Sequence, residues 1–279
     1  MAASGRARSR REPPAPRRER SDLTQRILFA LPAIAYAIFI VVEGGLVFTL
    51  GLIPLGLICL HELYAMFERA HPSRLAGMLA LVGMFLAAHF GGVHDLMLVL
   101  VIAVPVTFGL TLAQRRGGAP GISVTMLGIA WIGLALGHAV LLRDLPHGNG
   151  IVVDVLVGTF LGDTGAYLGG RAIGTKPLAP RISPKKTVEG LAVGIVVAIA
   201  AVWFAGLYQD WLTGRDALLL GLGVAIAAPI GDLFESYLKR DAGTKDTGTL
   251  FGPHGGALDR LDAVMFTAVV GYYIWSGLS

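Results

Sequence analysis

The chain has 279 residues, is 54% hydrophobic and only 15% charged, and its mean hydropathy is +0.66 with a net charge of +4. Values of that kind exclude an ordinary soluble domain. The expectation is an all-α, polytopic membrane protein that works on or in lipid and has no nucleic-acid partner.

In chain order, residues 1–26, "MAASGRARSRREPPAPRRERSDLTQR", are rich in Arg, Pro and Ser and lack apolar periodicity. They predict a disordered basic cytoplasmic arm that acts as a topology signal, with contact to anionic head groups as an alternative. "SRRE" lacks the apolar residues that follow a twin-Arg export signal, and the apolar run continues past "AIAYA", so the first helix reads as a retained anchor.

Nine apolar runs follow, each near the roughly 20 residues needed to cross a bilayer. They lie at about 27–43, 46–67, 75–92, 96–113, 121–142, 151–170, 188–206, 217–238 and 258–277. Very short turns join the first to the second and the third to the fourth, which predicts helical hairpins. Residues 27–150 thus hold five N-terminal helices, and 151–279 hold four helices with cytoplasmic loops. No connection is long enough for a soluble domain. The single cysteine, Cys59, lies within the second run and reads as a packing residue.

With the N-terminus cytoplasmic, 21 of the 23 cations fall inside and only Arg143 and Arg215 fall outside, so the C-terminus is expected outside. That orientation brings Asp163 and Tyr167 of helix six, and Asp232, Glu235 and Ser236 of helix eight, toward cytoplasmic helix ends. Asp259, Arg260 and Asp262 occupy the first turns of helix nine at the same level. Asp232, Glu235, Ser236 and Lys239 stand at i, i+3, i+4 and i+7, one face of a helix. Several ionisable side chains at membrane depth line a wet cavity or pair with one another, and both readings stand at this point.

The loops add glycine and excess cation. "DTGAYLGGRAIGTKPLAPRISPKKTVEG" sets Arg171, Lys176, Arg181, Lys185 and Lys186 among glycines and prolines, and "PHGGALDRLD" puts Gly255 and Gly256 directly before a helix start. Amides at such a start bind anions, and glycine lets a phosphate come close. Cations for phosphates and carboxylates converging from separate helices suit Mg²⁺ bridging a polyphosphate, hence phosphoryl or nucleotidyl transfer at the cytoplasmic surface.

The segment "SYLKRDAGTKDTGTLFGPHGGALDRLD", from Ser236 to Asp262, resembles the signature of the phosphatidate cytidylyltransferase family. Ser236, Lys239, Arg240, Lys245, Asp246, His254, Gly255, Gly256, Asp259, Arg260 and Asp262 all fit it. "GDLFES", "SPKKTVEG" and "GDTGAYLGGR" extend the likeness over roughly residues 150 to 265; before that it is general. Ala257 stands where the family usually has a larger aliphatic residue, and "FGPHGG" inverts the commoner Pro-Gly order.

The resemblance implies transfer of a cytidylyl group from CTP to phosphatidate, giving CDP-diacylglycerol and pyrophosphate, with Mg²⁺ as cofactor and a monovalent cation beside it left open. It implies Asp232 and Asp259 as metal ligands, with Asp246, Asp262 and Glu235 as second choices. Lys239, Arg240, Lys245 and Arg260, followed by Lys185 and Lys186, are assigned to phosphates. His254 is a proton or hydrogen-bond donor to pyrophosphate or a structural donor, and Asp163 and Tyr167 support the cavity. Glu62 is left outside the site, and acceptor specificity is assigned to the N-terminal helices. A homodimer in the cell (inner) membrane, open laterally to lipid, completes the expectation. The rivals are an ether-lipid phosphate cytidylyltransferase, a CTP-using polyprenol kinase and, from another class, a secondary transporter, whose site would lie at the bilayer midplane.

Overall fold

The structure, a computed structural model, describes residues 19–248 and 255–278. The described residues form α1 (Glu19–Glu43), α2 (Gly45–Met66), α3 (Arg74–Gln114), α4 (Gly118–Gly128), α5 (Leu134–Asp144), α6 (Gly148–Ile173), α7 (Val188–Gly206), α8 (Gly214–Asp241) and α9 (Leu258–Leu278). Seven stretches among them are long and apolar enough to span a membrane, and Leu31–Glu43 is a shorter apolar helix. The protein is therefore an all-α, multi-pass membrane protein.

Three details differ from the sequence reading. First, α1 begins at Glu19, inside the stretch expected to be an unstructured arm; residues 1–18 lie outside the described ones. Second, the expected hairpin of the third and fourth helices is present but has no loop: the two meet at Gly92 within α3, where φ of 77° is open to glycine and strained for other residues. The break folds α3 back on itself, because both of its ends meet: Gln114 Nε2 donates to Ser73 Oγ at 3.4 Å, and the Ser73 amide donates to Thr125 Oγ1 of α4 at 2.8 Å. Third, α4 and α5 are joined by a π-helical turn, Ile129–Gly133, so the expected fifth helix is one span with a bulge in it.

The α6–α7 connection also departs from a purely helical chain. It forms a short antiparallel hairpin, β1 (Pro177–Ala179) with β2 (Ser183–Thr187), in which Pro177 faces Thr187. Thr187 then caps α7 by accepting the Gly190 amide at 3.1 Å.

In lipid, helix association rests on close van der Waals contact, which small residues permit. The α6–α7 pair follows this rule, with Gly162 against Ala198, Gly165 against Val197 and Gly169 against Val193. Away from the hairpin, the opposite helix ends are tied by Arg143 Nε, which donates to the Val41 carbonyl at 2.7 Å, and by Trp275 Nε1, which donates to the Pro146 carbonyl at 2.8 Å. The C-terminal end of α2, both ends of α3, the hairpin, the end of α8 and the start of α9 lie on the other side.

Candidate active site

On that side α8 presents the face read from its spacing. Lys239 Nζ donates to Glu235 Oε2 at 2.5 Å, one turn back, and to Asp259 Oδ1 of α9 at 2.8 Å. Glu235 is 1% exposed, Asp259 9% and Lys239 13%, so this is a desolvated charge triad. Such a triad returns little net stability, because desolvation offsets the attraction. Its use must then be sought in chemistry rather than in folding energy.

Asp259 is held at its other oxygen as well. Oδ2 accepts from the Thr247 amide at 3.0 Å, the Thr247 hydroxyl at 3.0 Å and the Gly256 amide at 2.7 Å. The glycines serve this carboxylate directly. Gly255 has φ of 83°, and a Cβ at Gly256 would run into the Glu62 carboxylate and Thr247. The amides at the start of α9 therefore hold protein carboxylates in this structure: Asp259 at Gly256, and Glu62 at the next two.

Glu62 is the residue that sequence reasoning missed. It sits near the end of α2, 6% exposed, and its Oε1 accepts the Ala257 amide at 3.1 Å. Oε2 accepts the Leu258 amide at 2.9 Å and, at 3.3 Å, shares with Asp259 Oδ2 the one proton of the Thr247 hydroxyl. A carboxylate from another helix thus caps α9, where the helix dipole favours negative charge. Thr247 bridges it to Asp259. The signal available in "HELYAMF" was an acid inside an apolar helix, which is a functional-site candidate by default.

The hairpin brings the second ammonium. Side chains alternate along a strand, so Lys186 turns inward and ion-pairs with Asp232 while Lys185 stays exposed. Ser236 Oγ donates to Asp232 Oδ1 over 3.4 Å. Burial pulls the Lys186 ammonium below the usual lysine value, and Asp163, then Asp262, oppose that pull. Asp163, Asp232, Glu235, Asp259 and Asp262 thus surround Lys186 and Lys239, five acids about two ammonium groups.

Glu189, in the first turn of α7, fixes the hairpin. It accepts from the Thr175 hydroxyl at 2.7 Å and from the Thr175 and Lys176 amides, both at 3.1 Å. Glu189→Ala should free the hairpin and misplace Lys186, lowering turnover about tenfold, since small displacements of catalytic groups are costly. Faster proteolytic cleavage within residues 175–187, with the melting temperature nearly unchanged, would check the cause.

Other expected site residues lie further out. Arg240 is exposed and donates to the Ile182 carbonyl of the hairpin at 3.2 Å and to the Thr244 carbonyl at 3.4 Å. Lys245 and Asp246 are exposed on the loop after α8, and Arg260 is exposed in the first turn of α9. His254 lies outside the described residues. Tyr167 is exposed at the edge of a cavity of about 610 Å³ between α6, α7 and α8, whose lining also includes Asp163, Arg171, Lys185, Lys186 and Asp232.

Residues 24–277 match the family described as the cytidylyltransferase family. The chain is 30% identical over 262 residues to the phosphatidate cytidylyltransferase of Bacillus subtilis (strain 168), covering 91% of this chain and 97% of that one. It is 32% identical over 288 residues to the phosphatidate cytidylyltransferase of Synechocystis sp., covering 90% and 95%. To phosphatidate cytidylyltransferase 4, chloroplastic, of Arabidopsis thaliana it is 30% identical over 290 residues, covering 90% and 73%.

Proposed function

Since the chain belongs to the cytidylyltransferase family, we propose that it transfers the cytidylyl group of CTP to phosphatidate, releasing pyrophosphate and forming CDP-diacylglycerol. The observation that carries this reading is the desolvated cluster about Lys186 and Lys239, which through Lys186 and Asp232 borders a cavity lined by Arg171 and Lys185 as well as by apolar residues. Head group and acyl chain of one lipid would find opposite environments there.

In the reaction a phosphate oxygen of phosphatidate forms a bond to the α-phosphorus of CTP. The bond from that phosphorus to the oxygen bridging to the β-phosphate breaks, and pyrophosphate leaves with the electron pair. The nucleophile is an anion at neutral pH, so the chain need not supply a base. Its task is to position two anions and absorb their charge. Lys239 has three N–H donors, two of which meet carboxylates among the described residues, so the third is available to a phosphate. Lys186, Lys185 and Arg171 face the incoming lipid phosphate from the hairpin side.

Mg²⁺ would be held by Asp232 and Asp259, and the donor set fits it. Five acids stand about two ammonium groups, and a divalent cation would favour the ionised form of those it meets. Among the described residues Glu235 Oε1 is buried without a hydrogen-bond partner, and Asp232 Oδ1 has the 3.4 Å contact from Ser236 alone. Among the described residues no three His, Cys, Asp or Glu form a metal cage by themselves, a set that suits an ion taking one or two carboxylates and filling its shell with phosphate oxygens and water. When bound, the ion supplies charge neutralisation at the α-phosphate and the departing pyrophosphate.

Nine passes, a cytoplasmic N-terminus and a site facing the cytoplasm of a cell (inner) membrane belong to the same reading, supported by 21 of 23 cations on that side. So does a homodimer, which chemical cross-linking in native membranes would test. The cluster's place at one set of helix ends favours an enzyme over a transporter.

The test is pyrophosphate release by the detergent-solubilised chain given CTP, Mg²⁺ and phosphatidate. Release requiring both substrates is expected. Turnover with an ether-lipid phosphate or a polyprenol but not with phosphatidate would overturn the acceptor and keep the CTP site.

A further inference from the structure

We propose that Asp154, at the helix ends opposite the Lys186 and Lys239 cluster, is a proton-binding site: it carries a proton and forms with Gln209 a two-bond acid–amide pair that closes the α7–α8 connection onto α6. The inference is independent of the reaction proposed above.

Asp154 lies about 9 Å along α6 from its start at Gly148, at a rise of 1.5 Å per residue, and is fully buried. Gln209, on the connection between α7 and α8, reaches it there: Nε2 donates to Asp154 Oδ1 at 2.9 Å. Gly150 makes the approach possible. It stands one turn before Asp154 on the same face, and a Cβ on it would lie 2.5 Å from Trp211 Cζ2 and 3.6 Å from Gln209 Oε1. Helical side chains lean toward the N-terminus of their helix, so Asp154 leans over the turn that carries Gly150, where Gln209 Oε1 also lies.

Two oxygens at this contact lack a donor. Among the described residues, Asp154 Oδ2 and Gln209 Oε1 are both buried and neither has a hydrogen-bond partner. Turning the amide over does not help, since it sets the Gln209 carbonyl against Asp154 Oδ1 and leaves the pair short of a donor as before. One proton on Asp154 Oδ2 removes the shortage. The new hydroxyl donates to Gln209 Oε1 while Gln209 Nε2 keeps Oδ1, so a single proton satisfies both oxygens. A divalent metal ion fits less well, because it takes about six or more oxygens and two are free here. An ionised acid at this depth with no cation beside it is costly.

Neighbouring charges do not supply that cation. Arg143 donates to the Val41 and Val42 carbonyls, Asp144 pairs with His89, and His147 stacks on Trp211. On the α7–α8 connection and the start of α8, Tyr208, Asp210 and Arg215 are exposed, and Asp216 accepts the Thr213 hydroxyl. On α9, Tyr272 and Tyr273 meet His138, and Glu43 at the end of α1 is exposed. Among the described residues, Gln209 alone bonds to Asp154.

The proton links this contact to pH. An aspartate in the unfolded chain gives up its proton above about pH 4. The folded protein then holds a proton that unfolding releases, so its stability falls as pH rises, until Asp154 ionises in place.

The experiment takes infrared difference spectra of the wild type against Asp154→Asn at neutral pH in one detergent, reading the C=O stretch of a protonated carboxylic acid. That band should be present in the wild type and lost in the variant. Loss of carboxylate stretches in its place would overturn the inference. Asparagine can make the same two bonds as an amide–amide pair, so Asp154→Asn should melt within a few degrees of wild type at neutral pH, and Asp154→Ala several degrees lower. In mixed-micelle unfolding by SDS, the wild-type unfolding equilibrium constant should rise by up to about tenfold per pH unit relative to Asp154→Asn, the slope for one released proton. Parallel pH profiles, or an asparagine variant as unstable as the alanine one, would mean that the site holds the charge of Asp154 rather than its proton, and would overturn the inference.

Discussion

Asp259→Asn is expected to abolish cytidylyl transfer, with pyrophosphate release falling at least about 100-fold, the scale seen when one preorganised charge-stabilising group is lost. The carboxylate meets Lys239 at one oxygen and three donors, two amides and a hydroxyl, at the other. An asparagine of the same shape must turn its NH₂ toward one of these sets, so a donor will face a donor in either orientation. It also removes the charge proposed to hold Mg²⁺. Because the side chain keeps its volume and one acceptor, the fold should persist, as a melting temperature within a few degrees of wild type would show. Retention of more than a tenth of the activity would remove Asp259 from the metal.

Glu62→Ala should be the most destabilising single change near the site. It strips the acceptor from the buried Ala257 and Leu258 amides, while the Thr247 hydroxyl keeps Asp259. A buried donor left without a partner costs about 1–3 kcal/mol, so with two such amides a loss of at least about 2 kcal/mol is expected. Glu62→Gln retains one carbonyl acceptor and should lose less than half as much. Activity should fall in both variants, more steeply in alanine, because Thr247 passes the disturbance to Asp259. Thermal inactivation half-lives in one detergent would rank the three proteins. An alanine variant as durable as wild type would mean that the start of α9 needs no anion from α2.

The glycines before α9 show how one motif reads differently from its sequence and from its fold. As letters, "HGGALDRLD" is a glycine-rich helix start, suited to phosphate. In three dimensions its amides are taken by Asp259 and Glu62, and Ala257, 1% exposed, packs against that capped turn. The chemistry of the amides was legible. Their partner was not, because it comes from a helix almost two hundred residues earlier.

What the sequence by itself determined is what depends on local spacing and on lipid. Apolar runs of bilayer length had to become helices, since hydrocarbon leaves the backbone no other hydrogen-bond partners. The i, i+3, i+4, i+7 spacing had to put Asp232, Glu235, Ser236 and Lys239 on one face. The tertiary structure alone decided the rest: that Lys239 reaches Asp259, that Lys186 rather than Lys185 turns onto Asp232, that Glu62 closes the start of α9, and that the cavity lies between α6, α7 and α8. Each of these depends on how far one helix is rotated and slid against another. That is set by close contacts such as Gly162 on Ala198 and Gly165 on Val197, which sum over many residues and leave no periodic trace along the chain.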